Sequence, residues 1–258
     1  MNINNIVTSI LELGVPIQEW QRTLYSLKNI HKGKACILIG NGPSVTLDDL
    51  EKINDLDCIK FVFNRFHKVY STLLFEPDYT LSIDPLFIDD FFDELLSEHK
   101  GQLLLGHHRK LTKNDNYSWF KVKNINEFEF SNSPLKYIVP GGSVIVAALQ
   151  LAYYMGCREF YVYGVDHSFV SKPQQQSTTK TLDTTLVEGD GNHFIKNYRN
   201  GKAWYPPNTG LIEEAFLKCR IFIESEGGKL INISRRTQLK ELPKMSFDKF
   251  VAGVSPYE

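Results

Sequence analysis

Three short stretches of this chain hold residue types that bind a phosphate or move a proton. Gly40-Asn41-Gly42-Pro43-Ser44 joins two glycines, which let backbone N–H groups approach an anion with no Cβ in the way, to an amide, a stiff proline and a hydroxyl. Gly141-Gly142-Ser143 repeats two glycines and a hydroxyl just before an apolar run, the pattern of a helix N-terminus that attracts negative charge. Asp166-His167 sets an acid beside an imidazole, while Asn64 and Asp84 supply a further amide and a further acid. A lone GxG turn is as often a plain strand-to-helix connection, so what these residues do depends on the elements that carry them.

Those elements read as alternating strands and helices. Ala35-Cys36-Ile37-Leu38-Ile39 is a continuous apolar run, expected of a central parallel strand covered on both faces, and it breaks into the glycine turn. Ser44 or Thr46 caps the helix that begins near residues 47–50. Further strands are expected at Cys58–Phe63, ending at Asn64, and within 77–85, with Asp84 at its end before a helix over 86–96. Leu103–Leu105 reads as a short strand, followed by His107-His108-Arg109-Lys110, a weak site and more often a solvated loop. Residues 111–136 show no period and are expected to be an excursion or lid. Val144–Met155 is apolar almost all round and so a buried helix, stopped by Gly156. Arg158–Tyr163 is a strand that ends just before Asp166 and His167. Acids and amides at successive strand ends mark the edge where open α/β sheets bind ligands.

The fold class expected is therefore α/β: a Rossmann-like, mostly parallel sheet with helices on both faces. Residues 1–30 are expected to form an N-terminal helical extension of two short helices, and 31–258 a single Rossmann-like domain. Its polar segment 170–207, with Tyr, Trp and His residues, is expected to act as a lid. A helix from Thr209 to Glu226, a last strand at Lys229–Ile233 and a short C-terminal helix complete it.

Composition narrows the class further. The 258 residues carry a net charge of −1, 42% hydrophobic and 23% charged residues, which gives no basic excess for nucleic acid and no acidic excess for disorder. The aromatics, 12 Tyr, 17 Phe and 3 Trp, suit sugar or base stacking and equally a core. Cys36, Cys58, Cys157 and Cys219 are far apart, without metal or disulfide spacing, and read as buried thiols of a reducing cytoplasm. With no signal pattern and no long apolar run, the expected location is the cytoplasm, with the inner face of the membrane left open.

ILIGNGPS with Asn64, the Ile83-Asp84-Pro85 step, and Gly142-Ser143 leading through an Ala-rich helix to MGCREFYVYGVDHSF resemble the motility accessory factor and MptE-like domain family. They resemble more distantly the bacterial sialyltransferases of glycosyltransferase family 42. The resemblance covers roughly residues 30–235. It implies a Rossmann-like sheet and, through the sialyltransferases, metal-independent transfer of a nonulosonic or related acid from a CMP-activated donor to a surface glycan or polysaccharide. It places Asn41, Gly42, Pro43, Ser44, Asn64, Asp84, Gly141, Gly142, Ser143 and Asp166 around the cytidine nucleotide.

The chain departs from that pattern at the base. The sialyltransferases have a His just before an Asn-Thr pair, where Tyr205 precedes Pro207-Asn208-Thr209 here, and Ser168 stands where they have a Tyr. His193, after a glycine-bearing loop as in the MptE-like pattern, is the first choice of base, then His167; Tyr205 is a donor to the leaving phosphate. No cofactor or metal is expected beyond the CMP-sugar itself. The partners implied are a nucleotide-sugar donor and a glycan or lipid-linked acceptor, with no nucleic acid; peripheral membrane association and a homo-oligomer stay open. Two alternatives remain: an MptE-like 6-hydroxymethylpterin diphosphokinase, with Asp84 and Asp166 holding Mg²⁺ for ATP, and a non-catalytic nucleotide-binding module.

Overall fold

A computed structural model of the chain describes Val7, Ile10 and residues 15–107, 117–125, 127–169, 191–202 and 207–254. The first of the two expected N-terminal helices, His108, the segment 170–190 and Tyr205 therefore lie outside the described residues, save Val7 and Ile10 of that first helix. The elements in chain order are α1 (Glu19–Ser26), β1 (Ala35–Ile39), α2 (Leu47–Asn54), β2 (Ile59–Phe63), a 3-10 segment (Asn64–Ser71), β3 (Tyr79–Ser82) and α3 (Pro85–Glu98). They continue with β4 (Gln102–His107), β5 (Ser118–Lys121), α4 (Val144–Tyr154), β6 (Glu159–Tyr163), α5 (Thr209–Ser225), β7 (Lys229–Asn232) and α6 (Phe247–Gly253).

Seven strands form one sheet in the order β5-β4-β3-β2-β1-β6-β7, and every pairing is parallel. This is a Rossmann-like α/β fold. Its strands are apolar on both sides because both faces are covered. Cys36 and Leu38 of β1 pack into the core beneath α1, α4 and α5, whereas Ile37 and Ile39 pack under α2, the 3-10 segment and α6. A third cluster joins Leu103 and Leu105 of β4 to Phe87, Phe91 and Leu95 of α3, and it includes Tyr198.

The strand missed by periodicity is β5. It has only four residues, three of them buried, and is held at the sheet edge by α1, where Trp20 meets Trp119 edge-on at 4.7 Å. The Gln21 side chain of α1 also donates to the Leu135 carbonyl.

Local chemistry sets the helix starts. Thr46 caps α2 through Asp49 N–H, Ser143 caps α4 through Ile145 N–H, and Asn208 caps α5 through Leu211 N–H. The chain leaves β1 toward β2 but returns across it to form β6 on the other side. The C-terminal ends of β1 and β6 are thus the topological switch point, where a crevice opens.

Candidate active site

The turn after β1 is fastened to the end of β6. Gly40 N–H donates to the Tyr163 carbonyl at 2.7 Å and Gly42 N–H to the Gly164 carbonyl at 2.9 Å. Ser44 N–H donates to Asp166 Oδ2 at 2.7 Å, and the Ser44 hydroxyl donates to Asp166 Oδ1. The expectation that these two glycines leave their N–H groups facing an anion is thereby corrected: both already have acceptors, as do the N–H and hydroxyl of Ser44. The glycines are needed for a different reason. A Cβ on Gly40 or Gly42 would lie 2.5 or 2.6 Å from the Gly164 oxygen, so only glycine lets the two turns cross this closely.

Beyond the seam a cleft of about 240 Å³ opens. Asn41, Gly42 and Pro43 form one wall, Asn64 lies at the end of β2, and Gly142 and Ser143 lie at the start of α4. Asp166, His167 and His193 also line it. Chain segments more than a hundred residues apart thus meet in one place. Asn41 donates from Nδ2 to the Phe63 carbonyl and to the Tyr198 hydroxyl, both at 3.1 Å. Its Oδ1 is buried and accepts no hydrogen bond from the described residues, which leaves an acceptor for a ligand N–H or O–H. Asn64 sits in the left-handed region at φ 54° and accepts from the Ser82 hydroxyl. With the β1 turn occupied by its own contacts, the first turn of α4, whose Ser143, Val144 and Ile145 line the cleft, is a positive end that faces it.

Three of the residues expected around a nucleotide do not line the cleft. Ser44 is buried against Asp166. Gly141, at φ 53°, lies so close to α5 that a Cβ would meet Ala215 Cβ at 2.4 Å. Asp84 caps α3 by accepting from Leu86 N–H, and its charge acts on Arg199. Of the two acids expected to hold magnesium in the alternative reading, Asp166 lines the cleft and holds Ser44, whereas Asp84 lies outside the lining and serves a helix cap. Among the described residues, the His67, Glu94 and Glu98 group has metal-ligating types within reach of one another. It lies outside the cleft lining, and Arg65 and Lys68 already contact its carboxylates.

The two histidines differ in their surroundings. The His193 ring lies flat on Tyr198, with centroids 3.8 Å apart and planes 12° from parallel. Tyr198 is buried, which pushes its phenol up to about 12. The segment carrying both is anchored on two sides. Phe194 N–H donates to the Asn41 carbonyl at 3.0 Å, and Arg65 Nη1 donates to the Tyr198 carbonyl at 2.6 Å. Arg65 is itself fixed by two hydrogen bonds to Glu94.

His167 adopts φ 51°, and its Nε2 lies 2.9 Å from Glu213 Oε1 on α5. Its carboxylate partner is thus Glu213, not the adjacent Asp166. Tyr198, Arg65 and Glu213 were not singled out by sequence reasoning. The local signal that could have found Glu213 is the Asn208 cap, five residues before it, which sets it in the first turns of a helix.

A family model described as 6-hydroxymethylpterin diphosphokinase MptE-like matches residues 16–172. Among solved structures, the MAf glycosyltransferase from Magnetospirillum magneticum AMB-1 is similar with 15% identity and a TM-score of 0.47, over 91% of this chain and 40% of that one. The sialyltransferase CstII from Campylobacter jejuni, in complex with a substrate analogue, cytidine-5'-monophosphate, is similar with 14% identity and a TM-score of 0.46, over 83% of this chain and 86% of that one. This chain thus spans less than half of the Magnetospirillum protein. No curated protein sequence matches. Among the described residues, no helix is long and apolar enough to cross a membrane.

Proposed function

The chain belongs to the MptE-like family, and we propose that its cleft carries out glycosyl transfer rather than the diphosphate transfer for which that family is described. The donor is a CMP-activated sugar, a nonulosonic or related acid, and the acceptor a hydroxyl of a surface glycan or lipid-linked saccharide. One observation carries this reading. The described cleft lining offers amides, hydroxyls and imidazoles, with no lysine or arginine and with Asp166 as its one carboxylate, already held by Ser44. Diphosphate transfer from ATP concentrates charge that metal ions and cationic side chains must neutralise. Departure of a nucleoside monophosphate from a sugar carbon places less charge at one point, and the first turn of α4 is suited to it.

In the reaction, an acceptor O–H gives its proton to an imidazole of the cleft and its oxygen bonds to the anomeric carbon. The bond from that carbon to the phosphate oxygen breaks, and the electron pair leaves with CMP. Asn41 Oδ1 and Asn64 orient donor groups, and Ser143 with the α4 N–H groups faces the phosphate. The choice of cytidine rests on the resemblance of the GNGPS and GVDHSF blocks to the sialyltransferases. A thermal-shift series with CMP, CDP, UDP and ATP tests it. CMP should stabilise the protein in the presence of a chelator; stabilisation by ATP with Mg²⁺ alone would favour the diphosphokinase instead. Stabilisation by CMP with no turnover of any CMP-sugar would make the chain a nucleotide-binding module.

A further inference from the structure

Resting on glycosyl transfer at this cleft, we infer that His167 is its general base and that Glu213 is the positioning residue that prepares it. The carboxylate of Glu213 can only accept, so the 2.9 Å contact puts the ring proton of His167 on Nε2. Nδ1 is then the nitrogen with a lone pair. Among the described residues Nδ1 takes part in no hydrogen bond, and the residue lines the cleft beside the start of α4.

Two features set this pair apart from the other histidine of the cleft. His167 holds a left-handed backbone at φ 51°, a conformation that glycine or asparagine adopts more readily, so its ring is aimed at the expense of local strain. Glu213 projects, half-exposed, from the 17-residue α5, which is anchored to the core by its buried Ile212, Ala215 and Phe216. A base built from a strand end and a rigid helix keeps its geometry through the reaction. His193, by contrast, lies face to face on Tyr198, in a segment fastened by backbone hydrogen bonds.

The step balances as follows. His167 Nδ1 takes the proton of the acceptor hydroxyl while that oxygen bonds to the anomeric carbon. CMP departs with the electron pair of the broken C–O bond. The imidazolium formed lies against the Glu213 carboxylate, which compensates its charge until the proton passes to water.

The test uses the full chain and four variants, Glu213→Gln, Glu213→Asp, His167→Asn and His193→Ala. Nitrogen-15 NMR of the His167 ring should show the Nε2–H tautomer in the parent protein and a tautomer mixture in Glu213→Gln. The kcat for transfer should fall roughly 10²-fold or more in Glu213→Gln and in His167→Asn. It should recover partly in Glu213→Asp, while KM for donor and the CMP thermal shift stay near parental values. An Nδ1–H tautomer in the parent, or parental kcat in Glu213→Gln, overturns the dyad. A large kcat loss confined to His193→Ala gives the role to that histidine. Absence of both CMP binding and transfer would sink glycosyl transfer itself, and the nitrogen-15 pattern would still decide whether Glu213 sets the tautomer.

Discussion

Ser44 and Asp166, 122 residues apart, are joined by two hydrogen bonds: the Asp166 carboxylate accepts both the backbone N–H and the hydroxyl of Ser44. Both residues are buried, so the pair locks the turn after β1 to the loop after β6 out of water. Asp166→Ala leaves two buried donors without acceptors and is expected to destabilise by about 2–3 kcal/mol. Ser44→Ala removes one donor and should cost about 1–2 kcal/mol. Urea denaturation of the single and double variants should give non-additive losses, since the hydroxyl contact is lost in both single variants while the bond from Ser44 N–H is lost only in Asp166→Ala.

The glycines divide into two kinds. Gly42→Ala would put a methyl 2.6 Å from the Gly164 oxygen and 2.9 Å from Asp166 Cγ, which forces the seam apart. A loss of about 1–3 kcal/mol is expected, together with weaker nucleotide binding as the cleft wall shifts. A Cβ on Gly210, in the first turn of α5, would meet, outside the helix's own backbone and among the described residues, only Asn208 Oδ1 at 3.8 Å. Gly210→Ala should therefore stabilise the protein by about 0.5–1 kcal/mol. Thermal denaturation of the two variants should move in opposite directions.

Tyr198 holds the 191–202 segment through both its ring and its hydroxyl. Tyr198→Phe keeps the ring against His193 and Phe87 but removes the acceptor of Asn41 Nδ2, at an expected loss of about 1 kcal/mol. Tyr198→Ala empties a core position and should cost about 3–5 kcal/mol. Hydrogen exchange should show faster exchange across residues 192–200 in Tyr198→Ala and near-parental protection in Tyr198→Phe.

Stability should fall in two stages as the solution is acidified. Burial lowers His67 below its ordinary value of 6.5, against the opposing pull of Glu94, and burial lowers His31 too. The unfolded chain therefore binds protons below pH 6.5 that the folded one refuses, and stability declines as pH drops through that window. Glu94 and Asp49 are held below their ordinary 4.5 and 3.8: burial raises them, but hydrogen bonds from Arg65 and His67, and from Arg235 and Tyr163, outweigh it. Their contribution is present above those values and is lost as pH falls below them. Urea midpoints from pH 8 to pH 3 should show both stages, and His67→Gln should shrink the first while leaving the part due to His31.

Much of this architecture was legible because it is local. The apolar run of β1 and the all-round apolar α4 opened by Ser143 are written in neighbouring residues, and of the caps left open the structure takes Thr46 over Ser44 and Asn208 over Thr209. β5 was not legible, since four residues carry no period and its place comes from Trp20 packing on Trp119. The meeting of Asn41, Asn64, Ser143, Asp166 and His193 in one cleft follows from strand ends at a switch point. Which donor each acceptor takes does not. Asp166 beside His167 suggested a dyad, yet the backbone turns at φ 51° and sends the ring to Glu213, while Asp166 goes to Ser44.

The close crossing of Gly40 and Gly42 over Gly164 bears on how chains of this kind are compared. Because a Cβ at either position would meet the Gly164 oxygen, the glycine turn is required by the joint between β1 and β6, whatever group the cleft receives. A GNGPS turn is by itself a mark of architecture and not of the group transferred.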